Sequence, residues 1–423
     1  MKINRIILLS SIAISVHSHA QSLSEALSSG SIKGDFSSTL ELGSETDATK
    51  EAGANNNSKS LGSAIAIDYT SGSFYNLKMG LGFQTSYDWG IQEDDTKPTN
   101  AGGEADPRIT ITATKLTSAF LEYDVDEDIS KTTIRVGRQA IFSPLVLSAQ
   151  TMPFPMRESF NAIVVENNDF DHTQLKLMYI KGYNKRDDAN ANGNIAATDK
   201  HYKKPLVSLY VANNSIEELK LQAQWLSNHN NQPVGDPPAV LTTSDPYDNA
   251  YLSADYHFKD SSWSVNYQML KTYYKTLSDT GYWGAKVRKG ISNNSGLSLS
   301  YSSVEDSRNS TGTLGDVPLY RSYGGFTPEI YVGTKVTSIE YDHTIGEIHS
   351  VIGYSKFKQS DIGIKNSGAD LDGAYGVYSR ILYNLRSVKG LSSIIIFGHY
   401  NYDRANVKDN AFNFLRASLS YKF

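Results

Sequence analysis

The chain runs to 423 residues, contains no cysteine and carries a formal charge of −5. Its hydrophobic fraction of 39% is too low for a bundle of membrane helices, and the missing thiols exclude disulfides, lipoprotein attachment and thiolate metal sites. An acidic balance argues against nucleic-acid binding, which needs a basic footprint, while 27 Tyr and 32 Gly favour one large β-architecture over the two or three ordinary domains that the length allows.

Residues 1–20 have the pattern of a cleaved secretory signal. Lys2 and Arg5 form the charged start, Ile6 to Val16 the apolar core, and Ser18-His19-Ala20 the small-x-small site before Gln21. The core is too short to span a bilayer, and loss of Lys2 and Arg5 takes the formal charge from −5 to −7. Ser22 to Leu27 is the one plausible helical stretch. From Ile32 onward, apolar/polar alternation predicts eighteen strands, at about 32–42, 61–70, 73–87, 114–125, 131–139, 160–168, 173–183, 204–213, 217–228, 247–258, 262–273, 280–289, 295–305, 335–343, 347–357, 372–383, 391–402 and 412–423.

The connections alternate in character. Those after even-numbered segments are tight, as at Ser71-Gly72 and Thr344 to Gly346, whereas most after odd-numbered ones are long and polar, as at 88–113, 184–203 and 306–334. A soluble sandwich has no reason to keep that phase over its whole length. The pattern predicts an all-β, transmembrane, antiparallel up-and-down β-barrel of eighteen strands, with short periplasmic turns and long extracellular loops.

Alternation also assigns faces. Leu77, Met79, Leu81 and Phe83 oppose Lys78, Gly80, Gly82 and Gln84, and the last strand sets Leu415, Ala417, Leu419, Tyr421 and Phe423 against Arg416, Ser418, Ser420 and Lys422. Aromatics such as Tyr69, Tyr75, Tyr123, Trp263 and Tyr421 fall near the ends of outward rows, where a membrane barrel carries its girdles. A bland explanation is that Tyr is a good strand former anywhere.

On the inward face the phase places the bases Lys33, Lys78, Arg135, Lys176, Lys220, Lys286, Arg288, Arg380 and Arg416, together with the acids Asp35, Asp68, Glu122 and Asp255. Such bases would guide anionic groups through a pore. Equally, any charge on a lipid-facing strand must point inward, because outward placement at mid-membrane costs roughly 2–4 kcal/mol. The lone strand histidines His257 and His399 read as lumen-lining. The connection at about 140–159 is unlike the others: Pro144, Leu145, Val146, Leu147, Pro153, Phe154, Pro155 and Met156 make it apolar and stiff. It is expected to fold into the barrel as a constriction loop with Ser148, Arg157 and Glu158 lining the channel, the alternatives being an external plug or a contact between barrels. The loop at about 306–334 has a similar mixture and is expected to close the other side.

Val136-Gly137-Arg138-Gln139, followed by Ser143-Pro144-Leu145 and then by Pro155, Phe160 and Asn161-Ala162-Ile163, resembles the strand-to-loop passage of the OprD family of outer-membrane porins. Asp316-Val317-Pro318-Leu319-Tyr320 is similar to that family's later loop, and the strand count and aromatic terminus agree. The resemblance implies substrate-selective diffusion of small water-soluble molecules, amino acids or carboxylates, past a two-loop constriction and a ladder of basic side chains with Arg380 and Arg416 as members. It also implies that Phe423 is the address read by the barrel-assembly machinery. Ala149-Gln150-Thr151-Met152 departs from the family, standing where an Asp- and Arg-containing stretch is expected.

The partners expected are therefore small polar solutes, outer-membrane lipid and the assembly machinery, with a monomer or a loose homotrimer as the working unit and no cofactor. No HExxH, GxSxG or Walker-type sequence is present, which disfavours an enzyme. A surface adhesin acting through its loops, and a barrel-embedded hydrolase, are the other function classes.

Overall fold

A computed structural model describes residues 22–45, 57–87, 89–91, 113–148, 155–184, 199–229, 245–259, 261–308, 314–315, 331–367, 369–404 and 407–423. The expected signal segment, the 149–152 departure and Asp316 to Tyr320 lie outside the described residues. Ser22 caps a short helix, α1 (Leu23–Ser28), by accepting a hydrogen bond from the Glu25 backbone N–H at 3.1 Å.

The strands are β1 (Ser31–Glu45), β2 (Asn57–Thr70), β3 (Leu77–Tyr87), β4 (Ala113–Asp124), β5 (Thr132–Gln139), β6 (Phe142–Ser143), β7 (Val146–Leu147), β8 (Ser159–Asn167), β9 (Thr173–Asn184), β10 (Asp199–Asn213), β11 (Leu219–Asn228), β12 (Tyr247–His257), β13 (Trp263–Tyr274), β14 (Thr280–Ser292), β15 (Ser295–Val304), β16 (Leu314–Gly315), β17 (Thr334–Ile345), β18 (Ile348–Gln359), β19 (Ala369–Asn384), β20 (Leu391–Arg404) and β21 (Val407–Lys422). A second helix, α2 (Asp361–Ser367), falls inside the connection expected between β18 and β19. It is seven residues long, too short to impose a 3.6-residue period on the sequence.

Eighteen of these strands form one antiparallel sheet in which chain neighbours pair, and β6, β7 and β16 form a separate three-stranded patch. The large sheet closes on itself, because Asp35 to Glu45 of β1 lie opposite Lys422 to Phe412 of β21. The Phe423 and Gly34 backbones then exchange hydrogen bonds of 2.9 and 3.0 Å at the end of the seam. Closure satisfies every strand edge, which a lipid surroundings cannot do.

Outward rows are apolar and exposed: Leu77, Met79, Leu81 and Phe83 on β3, Leu177 and Tyr179 on β9, Ile352 and Tyr354 on β18. The inward rows are largely polar and buried, as with Ser37, Gln84, Gln224, Gln268 and Ser355. This inverts a soluble protein and suits lipid outside with water inside. Two positions depart from the expected faces. Tyr75 is a turn residue rather than part of β3, with a left-handed φ of 49°. His399 points outward, in phase with the exposed Ile395 and Phe397, and its Nδ1 lies 2.7 Å from Asn413 Oδ1.

Candidate constriction and lumen wall

The chain leaves the wall at the end of β5 through a built corner. Gly137 has a φ of +126°, and a Cβ there would lie 2.2 Å from the Ala119 carbonyl oxygen. Only glycine allows that approach. Arg138 donates to Asn161 Oδ1 at 3.0 Å and to the Leu116 carbonyl at 2.9 Å, while buried Gln139 donates to the Ala162 carbonyl at 3.1 Å. The Val136 to Gln139 motif thus fixes the direction in which the loop departs.

From there the chain turns inward, as its apolar composition predicts. Ile141, Leu145 and Val146 are buried in one cluster with the inward-facing Met178, Ile180, Leu206, Leu226, Leu270 and Tyr282 of the wall. Leu145 N–H donates to Gln224 Oε1 at 2.7 Å, and Gln224 Nε2 donates to Ser143 Oγ at 3.0 Å. The second long loop comes to this point as well: β16 pairs parallel with β7, Leu314 opposite Val146 and Gly315 opposite Leu147. Among the described residues, the two loops thus meet at one place, where Leu314 and Gly315 extend the patch formed by the first loop.

The returning arm is anchored elsewhere and by different forces. The Pro155 carbonyl accepts from Ser37 Oγ at 2.9 Å and from Gln84 Nε2 at 2.7 Å, and Arg157 N–H donates to Gln84 Oε1 at 2.9 Å. The Arg157 guanidinium bridges Asp35 of β1 and Asp68 of β2. Of the three side chains expected to line the channel, Arg157 is thus a half-buried anchor and Glu158 is buried at 4% exposure. Ser148 is 2% exposed, and its hydroxyl accepts from the Ile141 N–H at 3.1 Å. Ser148 and Glu158 are thus buried rather than open to the channel, and Arg157 is held by wall carboxylates, since a donor taken out of water is costly unless it finds a partner.

The basic rungs divide into two groups. Lys78 lies 2.6 Å from Asp124 and 3.5 Å from Glu122, and Arg135 donates to Glu122 at 2.7 Å. Lys176 reaches Glu166 at 3.1 Å, and Lys286 pairs with Glu340, which also accepts from the Tyr378 hydroxyl. Arg288 grips Asp342 with two bonds of 2.8 and 2.7 Å, crossing β15 at Gly296, where a Cβ would lie 2.3 Å from its guanidinium. Arg416 sits directly opposite Glu41 across the seam and donates to it at 2.6 Å. These pairs replace the row of free cations expected from the bases alone.

Arg380, Lys33 and Lys220 make no ion pair among the described residues. Arg380 is inward and exposed to the lumen, in phase with buried Tyr378. Lys220 lines a cavity of about 420 Å³ beside the tight turns, together with Lys131, His172, Gln174 and Tyr210. Glu41, Glu340 and Asp342, which the sequence reading passed over, share the inward phase of Asp35 on β1 and of Ser338 on β17. Applying the same alternation to the acids would have found them.

No family sequence model matches the chain, and no curated protein sequence matches it either. Solved structures do. Pseudomonas aeruginosa OccK9 (OpdG) superposes with a TM-score of 0.69 at 12% identity, covering 94% of this chain and 100% of that one. Pseudomonas aeruginosa OpdO gives 0.67 at 12% identity over 95% and 98%, and Acinetobacter baumannii OccAB1 gives 0.66 at 12% over 93% and 96%. At that identity the likeness carries the architecture alone: the chain has the closed eighteen-stranded barrel that its resemblance to the OprD family of porins implied.

Proposed function

We propose that this protein is an outer-membrane porin giving passive, partly selective passage to small water-soluble solutes. The observation that carries the reading is the pair of loops meeting at β7 and β16 inside a closed barrel with a polar inner wall and an apolar exterior. An eighteen-stranded barrel is wide enough for an aqueous lumen, so inward loops are what set its bore. The Pseudomonas and Acinetobacter barrels named above share the architecture end to end, which supports the same reading.

Selectivity follows from the charge census. Wall acids neutralise Lys78, Arg135, Lys286, Arg288 and Arg416, so the positive bias rests on Arg380, Lys33 and Lys220, and we assign the protein small carboxylate-bearing solutes such as amino acids. No catalysis is part of this role. Export by a cleaved 1–20 segment and recognition of Phe423 by the barrel-assembly machinery belong to the same reading. One chain closes its own channel, so the proposed working unit is the monomer; a loose homotrimer would show in light scattering as a threefold larger particle.

Planar-bilayer recording from the purified protein tests the proposal. Discrete conductance steps with a mild anion preference are expected. Absence of steps overturns the channel, and a strong cation preference overturns the assignment of carboxylate solutes.

A further inference from the structure

The outer surface of β17 and β18 carries a cluster of cations that the channel does not use. Lys335 and Lys358 lie directly opposite each other in register, and Lys356 is two residues below Lys358, opposite Thr337. All three are exposed and in phase with the outward Ile339, Ile352 and Tyr354, while their neighbours Val336, Ser355 and Phe357 are buried on the inner side. Like charges set directly opposite destabilise a strand pair. Nevertheless none of the three forms an ion pair among the described residues. Lys356 donates to the Gly373 carbonyl, Asp372 accepts from the Gln359 N–H, Asp370 from the Asp372 N–H and Asp306 from the Ser360 hydroxyl, while Asp361 opens α2 and forms no ion pair with these lysines.

Height on the barrel gives the cluster its meaning. Lys358 is ten residues above Ile348, which starts β18 at the tight-turn rim. With a rise of about 3.3 Å per residue and a tilt of about 40°, that is roughly 25 Å along the barrel axis, the height of the apolar band of an outer-membrane barrel. Below the lysines the outward column is lipid-like, with Tyr354 stacked on Tyr375 at 6.3 Å, then Ile352 and Ile339. Elsewhere near this rim an outward lysine has its own counter-ion, Lys271 pairing with Glu305 at 2.7 Å. At β17 and β18 no such partner is present among the described residues.

We propose that Lys335, Lys356 and Lys358 bind the phosphorylated headgroup of a lipid in the outer leaflet, its acyl chains lying along Tyr354, Ile352 and Ile339. The assignment rests on reading the chain as an outer-membrane barrel whose long connections face outward. Three ammonium groups at the top of an apolar column match a phosphomonoester carried on acyl chains, since each lysine at a charged lipid surface adds attraction that salt screens.

The test uses the purified full chain in detergent, offered a bisphosphorylated, acylated disaccharide glycolipid, the same lipid after enzymatic dephosphorylation, or inorganic phosphate, with retained ligand read by native mass spectrometry. The wild type is expected to keep the phosphorylated lipid and to release the dephosphorylated one. The combined variant Lys335→Gln, Lys356→Gln, Lys358→Gln is expected to retain at least about tenfold less, and the matching triple substitution to Arg to retain it. Single-channel conductance of the Gln variant should equal that of the wild type, which shows that it folds and separates this site from the channel. Equal retention by wild type and Gln variant, or equal retention of the two lipids, overturns the proposal. Binding of inorganic phosphate as tightly as of the lipid overturns the assignment to a lipid. Loss of conductance in both proteins with lipid retention intact would instead overturn the porin reading.

Discussion

The two arms of the 140–159 connection are held to the same wall by opposite means. The outgoing arm rests Ile141, Leu145 and Val146 on inward apolar side chains of β8 to β15, whereas the returning arm drives a half-buried arginine between Asp35 and Asp68. Apolar contact is non-directional and tolerates small shifts. A buried ion pair holds one geometry and is severe when one partner goes. The connection thus has a cushioned arm and a pinned arm.

The largest expected effect follows from removing the pin. Arg157→Ala leaves Asp35, 2% exposed, without its counter-charge, and should lower stability by about 3–5 kcal/mol in urea unfolding of the lipid-embedded protein. Its single-channel current should also rise as the arm leaves the wall; a wild-type current would mean that the ion pairs do not position the loop. Adding Asp35→Asn and Asp68→Asn to that variant should restore most of the stability, because a neutral wall no longer buries an unpaired charge.

On the cushioned side, Leu145→Ala empties a site that is 0% exposed and should cost about 3 kcal/mol. A smaller rise in current than for Arg157→Ala is expected, since Gln224 still holds the Leu145 backbone. Gln224→Ala takes that acceptor from the buried Leu145 N–H and should cost about 1–3 kcal/mol, seen in the same unfolding assay. The mildest change is Arg380→Gln. This residue has no ion pair to break, so stability should stay put while the reversal potential in a salt gradient moves toward cation preference. An unchanged potential would place selectivity elsewhere on the wall.

Strands were the most legible feature of the sequence. All eighteen segments recur as barrel strands, and their ends move by only a few residues, as at β3, where Tyr75 and Asn76 adopt left-handed turns before Leu77. The inward packing of Ile141, Leu145 and Val146 fits the apolar composition of the 140–159 connection, because such side chains have no stable place in water. The candidate site was far less legible. Arg157, expected to line the channel, instead pairs with Asp35 and Asp68, and Ser148, expected there too, bonds its own loop.

What the sequence by itself determined is the part governed by period two: the number of strands, the face that most strand residues take, and the phase of short turns and long loops. Each of these depends only on neighbours along the chain. The tertiary structure alone decided which charges meet. Arg288 finds Asp342 two strands away across Gly296, Arg157 finds Asp35 and Asp68 across the returning arm, and Arg416, which alternation marks only as inward, is tied to Glu41 by closure of the barrel. Alternation fixes a side chain's direction but not its height or its cross-strand neighbour. Shear between strands sets those, and shear exists only once the sheet has closed.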